Sequence, residues 1–374
     1  MKVAVIHEML IKLWGAENVT LDILEMFPDA DLYTLIYDEK KVWSKFPPSR
    51  IKHVPKITQR VYNLIKNQRF TLPFMARAIE SIDFSSYDLV IASSSAFAHW
   101  CITKPETCFV AYYHSPSRYI WDYTFEHRRD MNYRSLFKKP LLLFLSIVFQ
   151  KLRIWDYLAW QRHDVAIAAS KQVQQRIAKY YRRESELVYP GVYVNDFEIG
   201  ENPLKERDHY VILSALTEFK KVDVSVKAFT KMWHKLKIVG EWAQRSYLES
   251  IAWPNIEFVW YKDHEKLKEI YKEARGFIMS WRDDYGIAPI EAMAAWMPVF
   301  ALNQGWLVET NVAWLSWEFF DDPEGKDFIP KFERFHADIE EGKFDRIKIR
   351  NHALKFRKER FIAEFRQTLD KYLN

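Results

Sequence analysis

The sequence predicts an α/β protein made of two doubly wound parallel sheets in series, and three observations carry that expectation. Short apolar runs that end on polar or small residues, such as "DLVIASS", "CFVAYYH" and "VAIAAS", suit parallel strands covered on both faces. Segments with apolar residues three and four apart separate them, as helices do. The alternation occurs twice, on either side of the polar stretch "NDFEIGENPLKERD" at 195–208, and 374 residues give room for two ordinary domains.

Taken in order, "VAVIH" reads as the first strand, "AENVTLDILEMF" as a helix and "DLYTLIY" as the second strand. The second half repeats the rhythm with strands "YVILSA", "LKIVG", "IEFVWY", "GFIMS" and "PVFAL" and helices "KVDVSVKAFTKM", "HEKLKEIYKEA" and "IAPIEAMAA". Right-handed crossovers turn such alternation into doubly wound sheets. The expected division is a first domain over 1–192, a linker over 193–208 and a second domain over 209–344. A charged helix over 345–374 carries Phe356, Phe361, Phe365 and Leu369 as one stripe and packs back on the first domain. The carboxyl ends of the strands in the two sheets would face a shared cleft, where ligands of this architecture bind.

Composition narrows the function. Hydrophobic residues make up 49% and charged residues 28%, a globular balance, and the net charge of +5 is too weak to imply nucleic acid. It suits an anionic substrate or a negative membrane surface. Cys101 and Cys108 offer neither a disulfide framework nor metal spacing, so a reducing cytosol is the expected compartment. The opening "MKVAVIHEML" lacks the pattern of a signal peptide. "LLLFLSIVF" at 141–149 falls short of the roughly 20 residues that span a bilayer. Flanked by Lys138, Lys139, Lys151 and Arg153, it fits a buried helix with basic ends or a helix lying on a membrane surface. No G-x-G-x-x-G, Walker loop, HExxH or G-x-S-x-G occurs.

One segment carries chemistry. "SWRDDYGIAPIEAM" follows a strand and opens a helix. Gly286 permits close backbone approach, and the helix start offers free N–H groups to a phosphate. Glu291, in the second turn, could accept two hydrogen bonds from a ribose diol. The plainer alternative is that Asp283 and Asp284 cap the helix and Glu291 is exposed.

The spacing Asp283-x7-Glu291 resembles the E-x7-E signature of the family 4 retaining glycosyltransferases. "HSPSRYIWD" (114–122) is similar to the H-x-P-x-R-Y-x-W-D segment of their mannosyltransferase-like branch, and "SALTEFKKVD" (214–223) to the phosphate-binding S-R-L-x-x-x-K-x-x-D. "SSYDLVIASSSAFA" and "ESELVYPGV" fall in the same order, so the resemblance runs over nearly the whole chain. It implies a GT-B enzyme of two Rossmann-like domains that binds a nucleoside-diphosphate sugar, GDP-mannose above all, mainly on its second domain. Glu291 would hold the ribose, the backbone at Gly286 and Ile287 the diphosphate, and Lys220 the leaving phosphate. Gly240 and Glu241 would contribute further donor contacts, and Asp283 would meet the donor sugar. From the first domain, His114 would reach that sugar, Gly15 would approach the diphosphate, and Arg118 would either bind the donor or serve as an ion-pair partner.

The family uses no metal, and "DAD" at 29–31 reads as a turn. Nucleoside diphosphate would depart, an oxocarbenium-like sugar form, and an acceptor hydroxyl attack the same face. The implied acceptor is a glycan or lipid-linked glycan, with segment 126–155 touching the cytoplasmic face of a membrane. Two departures stand out: Asp283 is one methylene shorter than the family's glutamate, and Ala215 replaces its arginine. Glucose or galactose donors, or a non-catalytic sugar-nucleotide binder or scaffold, are the alternatives.

Glycine is scarce and tryptophan abundant, 9 against 15, where average usage predicts about 26 glycines. Trp14, Trp242, Trp296, Trp306, Trp314 and Trp317 stand where the family pattern has glycine. Trp100, Trp233, Trp253 and Trp260 fall at turn or strand-edge positions that commonly hold it. Trp121 and Trp155 match family tryptophans. An indole at a left-handed cap costs of order 1–2 kcal/mol. The expectation is therefore a gene in which UGA encodes glycine at all ten positions. If all ten are tryptophan, donor binding should be weak or absent.

Overall fold

Among the described residues, thirteen short strands are laid down by the apolar runs, and most residues of the central ones are fully buried. The computed structural model describes residues 1–13, 15–118, 120–122, 138–198, 200, 202–241, 244–260, 264–310 and 317–373. Trp14, Trp242, Trp314 and the part of the expected membrane segment before residue 138 lie outside the described residues.

The first sheet holds β1 (Val3–Leu10), β2 (Asp31–Tyr37), β3 (Ile51–His53), β4 (Leu89–Ser94), β5 (Cys108–Tyr113), β6 (Val165–Ala168) and β7 (Glu186–Leu187), in the order β3-β2-β1-β4-β5-β6-β7. The second holds β8 (His209–Leu213), β9 (Leu236–Val239), β10 (Ile256–Val259), β11 (Ala274–Met279), β12 (Val299–Leu302) and β13 (Trp317–Phe320), in the order β10-β9-β8-β11-β12-β13. All pairings within both sheets are parallel. In each sheet the strand order reverses once, between β1 and β4 and between β8 and β11, which are the switch points where such sheets bind ligands.

The chain forms two compact units, Met1–Pro190 with Phe361–Asn374, and Gly191–Arg360. The polar stretch after residue 193 contains two short 3-10 turns, Val194–Asp196 and Leu204–Glu206, and lies within the second unit. In the first unit the last helix, Lys358–Asp370, packs Phe361 and Phe365 against Tyr112 of β5, with ring centroids 5.8 and 6.0 Å apart. Phe356 does not share that stripe; it sits in a separate 3-10 turn, Leu354–Phe356, because the chain turns before the helix begins.

The sequence patterning did not reveal β13 or the helix Phe328–Glu340. That helix lays Phe328, Phe332, Phe335 and Ile339 on the second sheet, where Phe300 meets Phe320 at 5.4 Å and Phe328 at 5.0 Å. Burying each ring is worth about 1.5–3 kcal/mol, so tertiary packing holds this edge rather than local pattern.

The tryptophans divide. Among the described residues Trp233 (φ 61°) and Trp296 (φ 70°) take the left-handed conformation. Trp296 completes a Schellman cap: its N–H donates to Met293 O at 2.9 Å and the Met297 N–H to Ala292 O at 3.0 Å. Trp100, Trp253, Trp260, Trp306 and Trp317 have no positive φ, which corrects the expectation that the backbone demands glycine at those positions. Trp100 is wholly buried in a 3-10 turn and donates to Asp156 Oδ1 at 2.9 Å. Trp253 packs edge-on to Trp233, and Arg245 lies 4.0 Å over the Trp260 ring. Among the described residues, no helix is long and apolar enough to cross a membrane.

Candidate active site

The second sheet's switch point is furnished by the loops that leave β8 and β11. The loop after β8 ends in a 3-10 turn, Glu218–Lys220, and Lys220 Nζ meets Asp283 Oδ2 at 2.5 Å in a pair whose side chains are only 14% and 12% exposed. Asp283 lies on the loop after β11, where its Oδ1 also accepts from the Asp284 N–H at 3.1 Å. Trp281 walls the pair, its ring 5.2 Å from the ammonium. Two residues expected to act on the same diphosphate sugar are thus brought together.

Four residues past Asp283 the helix Ile287–Ala294 begins. Gly286 is its N-cap and brings no side chain of its own to the helix start. Its first amide groups keep the anion-binding character of a helix start. A Cβ on Gly286 would come within 3.2 Å of Trp306 Nε1. Trp306 is fully buried, lies 4.4 Å from Tyr285 and leaves that Nε1 without a partner.

Glu291, one turn into the helix, is half-buried rather than exposed. Burial, aided by the charge of Asp196, raises its carboxyl from 4.5 to about 7. Such a carboxylate gains from hydroxyl donors that replace water. In the loop after β9, Gly240 admits no side chain, since a Cβ would stand 1.9 Å from Ser214 O. Leu216 N–H donates to Glu241 O at 2.9 Å, tying the loop after β9 to the one that carries Lys220.

In the first unit, β1 and β4 are paired so that His7 faces Ser93 in register. His114, just past β5, shares Ser93: its Nε2 lies 2.8 Å from Ser93 Oγ. Burial, together with the nearby His7, lowers His114 to about 3, so it is neutral at working pH. Gly15 opens the helix Gly15–Met26, from which Thr20 and Glu17 reach His7. Arg118 lies half-exposed in the turn after β5. Arg176 also fastens this loop: it meets Asp122 Oδ2 at 2.6 Å and donates to Ser115 Oγ at 2.8 Å. Asp156 accepts from Trp100, Trp121 and Tyr181 at 2.6–2.9 Å and lies 3.0 Å from His99 Nε2.

Sequence reasoning missed His7, Glu8, Glu17, Ser93, Asp156 and Arg176. The one available signal was the polar "HE" at the end of an apolar strand; the partners are far apart in sequence. Among the described residues, no group of three or more His, Cys, Asp or Glu side chains could hold a metal ion.

Comparison with known proteins agrees with this geometry. Residues 15–196 match the model described as Glycosyltransferase Family 4, and residues 195–343 match Glycosyl transferases group 1. The two matches follow one another along the chain, and the second takes in the switch point between β8 and β11. The protein is a glycosyltransferase. An uncharacterized glycosyltransferase of Methanocaldococcus jannaschii is 26% identical over 179 residues, 41% of this chain and 46% of that protein, so the match spans about half the length of that relative. The glycosyltransferase is similar over 99% of its length to all of HepE of Anabaena in complex with UDP-glucose, with a TM-score of 0.72 and 14% identity. It is also similar to 98% of sucrose-phosphate synthase from Thermosynechococcus elongatus, with a TM-score of 0.71 and 15% identity. These likenesses establish the GT-B fold of two Rossmann-like domains.

Proposed function

We propose that the chain transfers a hexosyl group, mannose first among the candidates, from a nucleoside-diphosphate sugar to a glycan or lipid-linked acceptor, with retention at the anomeric carbon. The observation that carries this reading is the glycine-led start of the helix Ile287–Ala294, with the Lys220–Asp283 pair before it and the poised carboxyl of Glu291 one turn on. The amides at Gly286 and Ile287 would take the diphosphate, Glu291 the ribose diol, and the loop at Gly240 and Glu241 the rest of the nucleotide. Lys220 would turn from Asp283 toward the leaving phosphate, where fixed positive charge stabilises the transition state most. Released from Lys220, Asp283 could accept a hydroxyl of the donor sugar.

His114, neutral at working pH, would hydrogen-bond the reacting sugar; Gly15 and Arg118 would complete the first unit's donor contacts. The departing phosphate would take the acceptor's proton. The motif "HSPSRYIWD" favours GDP-mannose, whereas the solved HepE is described with UDP-glucose. No resident cofactor is needed in this scheme. On the helix Lys138–Ala159, exposed Ile147, Ile154 and Leu158 share one face with Lys151, which supports peripheral contact with an anionic membrane surface at the cytoplasmic face.

A thermal-shift screen with GDP-mannose, UDP-glucose and UDP-galactose, followed by transfer assays, tests the reading. A saturable shift and turnover with one donor are expected, with the turnover falling steeply in Lys220→Ala. Binding of a sugar nucleotide with no turnover of any donor would favour a non-catalytic binder instead.

A further inference from the structure

A buried polar cluster lies directly behind His114, and the proposed function leaves it unused. His7 Nδ1 is 3.2 Å from Ser93 Oγ, 3.2 Å from Ser93 O and 3.1 Å from Thr20 Oγ1. Thr20 Oγ1 donates to Ala16 O and lies 2.9 Å from Ser93 Oγ, so it can only accept from the other members. Ser93 Oγ has a single proton and three neighbours: Thr20, His7 and His114. Where that proton goes depends on what His7 presents.

The charged and titratable groups facing His7 are Glu8 beside it on β1 (3.9 Å), Glu17 from the helix Gly15–Met26 (3.7 Å) and His114 past β5. Glu8 is itself fixed, its Oε1 accepting from the backbone of Ser95, Ala96 and Phe97. Burial opposes a charge on His7, but Glu17, Glu8 and the Ser93 carbonyl outweigh it and raise its pKa.

We propose that His7 is a positioning residue which, through the Ser93 hydroxyl, fixes the imidazole of His114 for sugar transfer. A His7 that donates from Nδ1 turns the Ser93 lone pair toward itself and leaves the Ser93 proton for Thr20 or His114. His114 is thereby held in one orientation, as a ring that burial keeps neutral.

The inference rests on the proposed role of His114, and the test separates the two. Ser93→Ala removes the shared hydroxyl with little change in volume; His7→Phe removes the donor and His7→Asn restores one near Nδ1. In a transfer assay, kcat should fall about tenfold or more in Ser93→Ala and His7→Phe while donor KM stays within about twofold. His7→Asn should recover much of the loss. In ¹⁵N-histidine NMR the His114 ring, silent near neutrality in the wild type, should begin to titrate at higher pH in His7→Phe. A wild type that turns over no donor overturns the functional reading. A wild type that does, with Ser93→Ala unimpaired and its His114 resonances unmoved, overturns this inference alone. If His7→Phe does not fold, Ser93→Ala decides.

A second inference stands on separate observations. Trp233 and Trp296 both occupy left-handed helix caps, and Trp233 exposes 59% of its surface there. With 9 glycines in 374 residues, we infer that the cell places glycine at these two positions by reading UGA as glycine. UGA at both codons and glycine in the corresponding peptides of the native protein are expected; UGG at either codon overturns it for that site.

Discussion

The two switch points occupy the same place in two sheets of the same strand order, yet they are furnished in opposite ways. Behind β1 and β4 the slot is filled: His7 and Ser93 are register partners, both essentially inaccessible, and Glu8 spends its acceptors on three backbone amides. Beyond β8 and β11 the slot holds a largely buried Lys220–Asp283 pair, a helix start led by Gly286 and a half-buried Glu291. Topology therefore supplies a location and does not dictate its use. The Glu8 end of the first slot is a closed network that ties loop to strand, whereas the second slot gathers charge around a helix start. The comparison predicts that substitution of Glu8 acts on stability and that substitutions in the second slot act on donor affinity or rate.

The largest expected effect is Glu8→Ala. Removing a buried carboxylate that satisfies three amides should cost about 3–5 kcal/mol in chemical denaturation. An unchanged denaturation midpoint would break the contrast. Next, Lys220→Ala should lower kcat by about 10²–10³ with small effect on stability, as loss of one fixed charge at a leaving group does. A stability loss without a rate loss would move Lys220 into the scaffold class.

Glu291→Gln comes third. Donor affinity should weaken by about 10–100-fold, matching the roughly 1.5–3 kcal/mol of charge-assisted hydrogen bonds, as isothermal titration can measure. Its pH dependence has a definite sign. Between 4.5 and about 7 the folded chain keeps a proton that the unfolded chain has lost, so this carboxyl lowers stability as pH rises through that window. The Gln variant should therefore have a higher Tm than the wild type at pH 8, and the wild type should bind donor more tightly above pH 7 than below it. The smallest effect is Trp296→Gly, at the far end of the same helix. Relaxing its left-handed cap should add about 1 kcal/mol of stability and leave donor affinity unchanged; lowered stability would mean that the indole's contacts with Arg346 and Arg350 outweigh the strain.

The legible parts of the molecule were those set by local rules. Strand β2 spans the same seven residues the alternation marked, and the helix over 287–294 begins at the glycine expected to open it. The left-handed turn at Trp296 was legible as well, because a helix running into Pro298 and a strand leaves few other ways to turn. The helix Phe328–Glu340 escaped notice because its aromatic face has meaning only against Phe300 and Phe320.

The sequence by itself determined the α/β alternation, the division into two sheets and the motif that opens the helix Ile287–Ala294, since all of these follow from spacing along one segment. Only the tertiary structure decided that Lys220 pairs with Asp283, 63 residues away, that burial lifts Glu291 to about 7, and that His7, Ser93 and His114 share one hydroxyl. Charge pairing and desolvation depend on distance in space, and residues on separate strands acquire a distance only when the sheet forms.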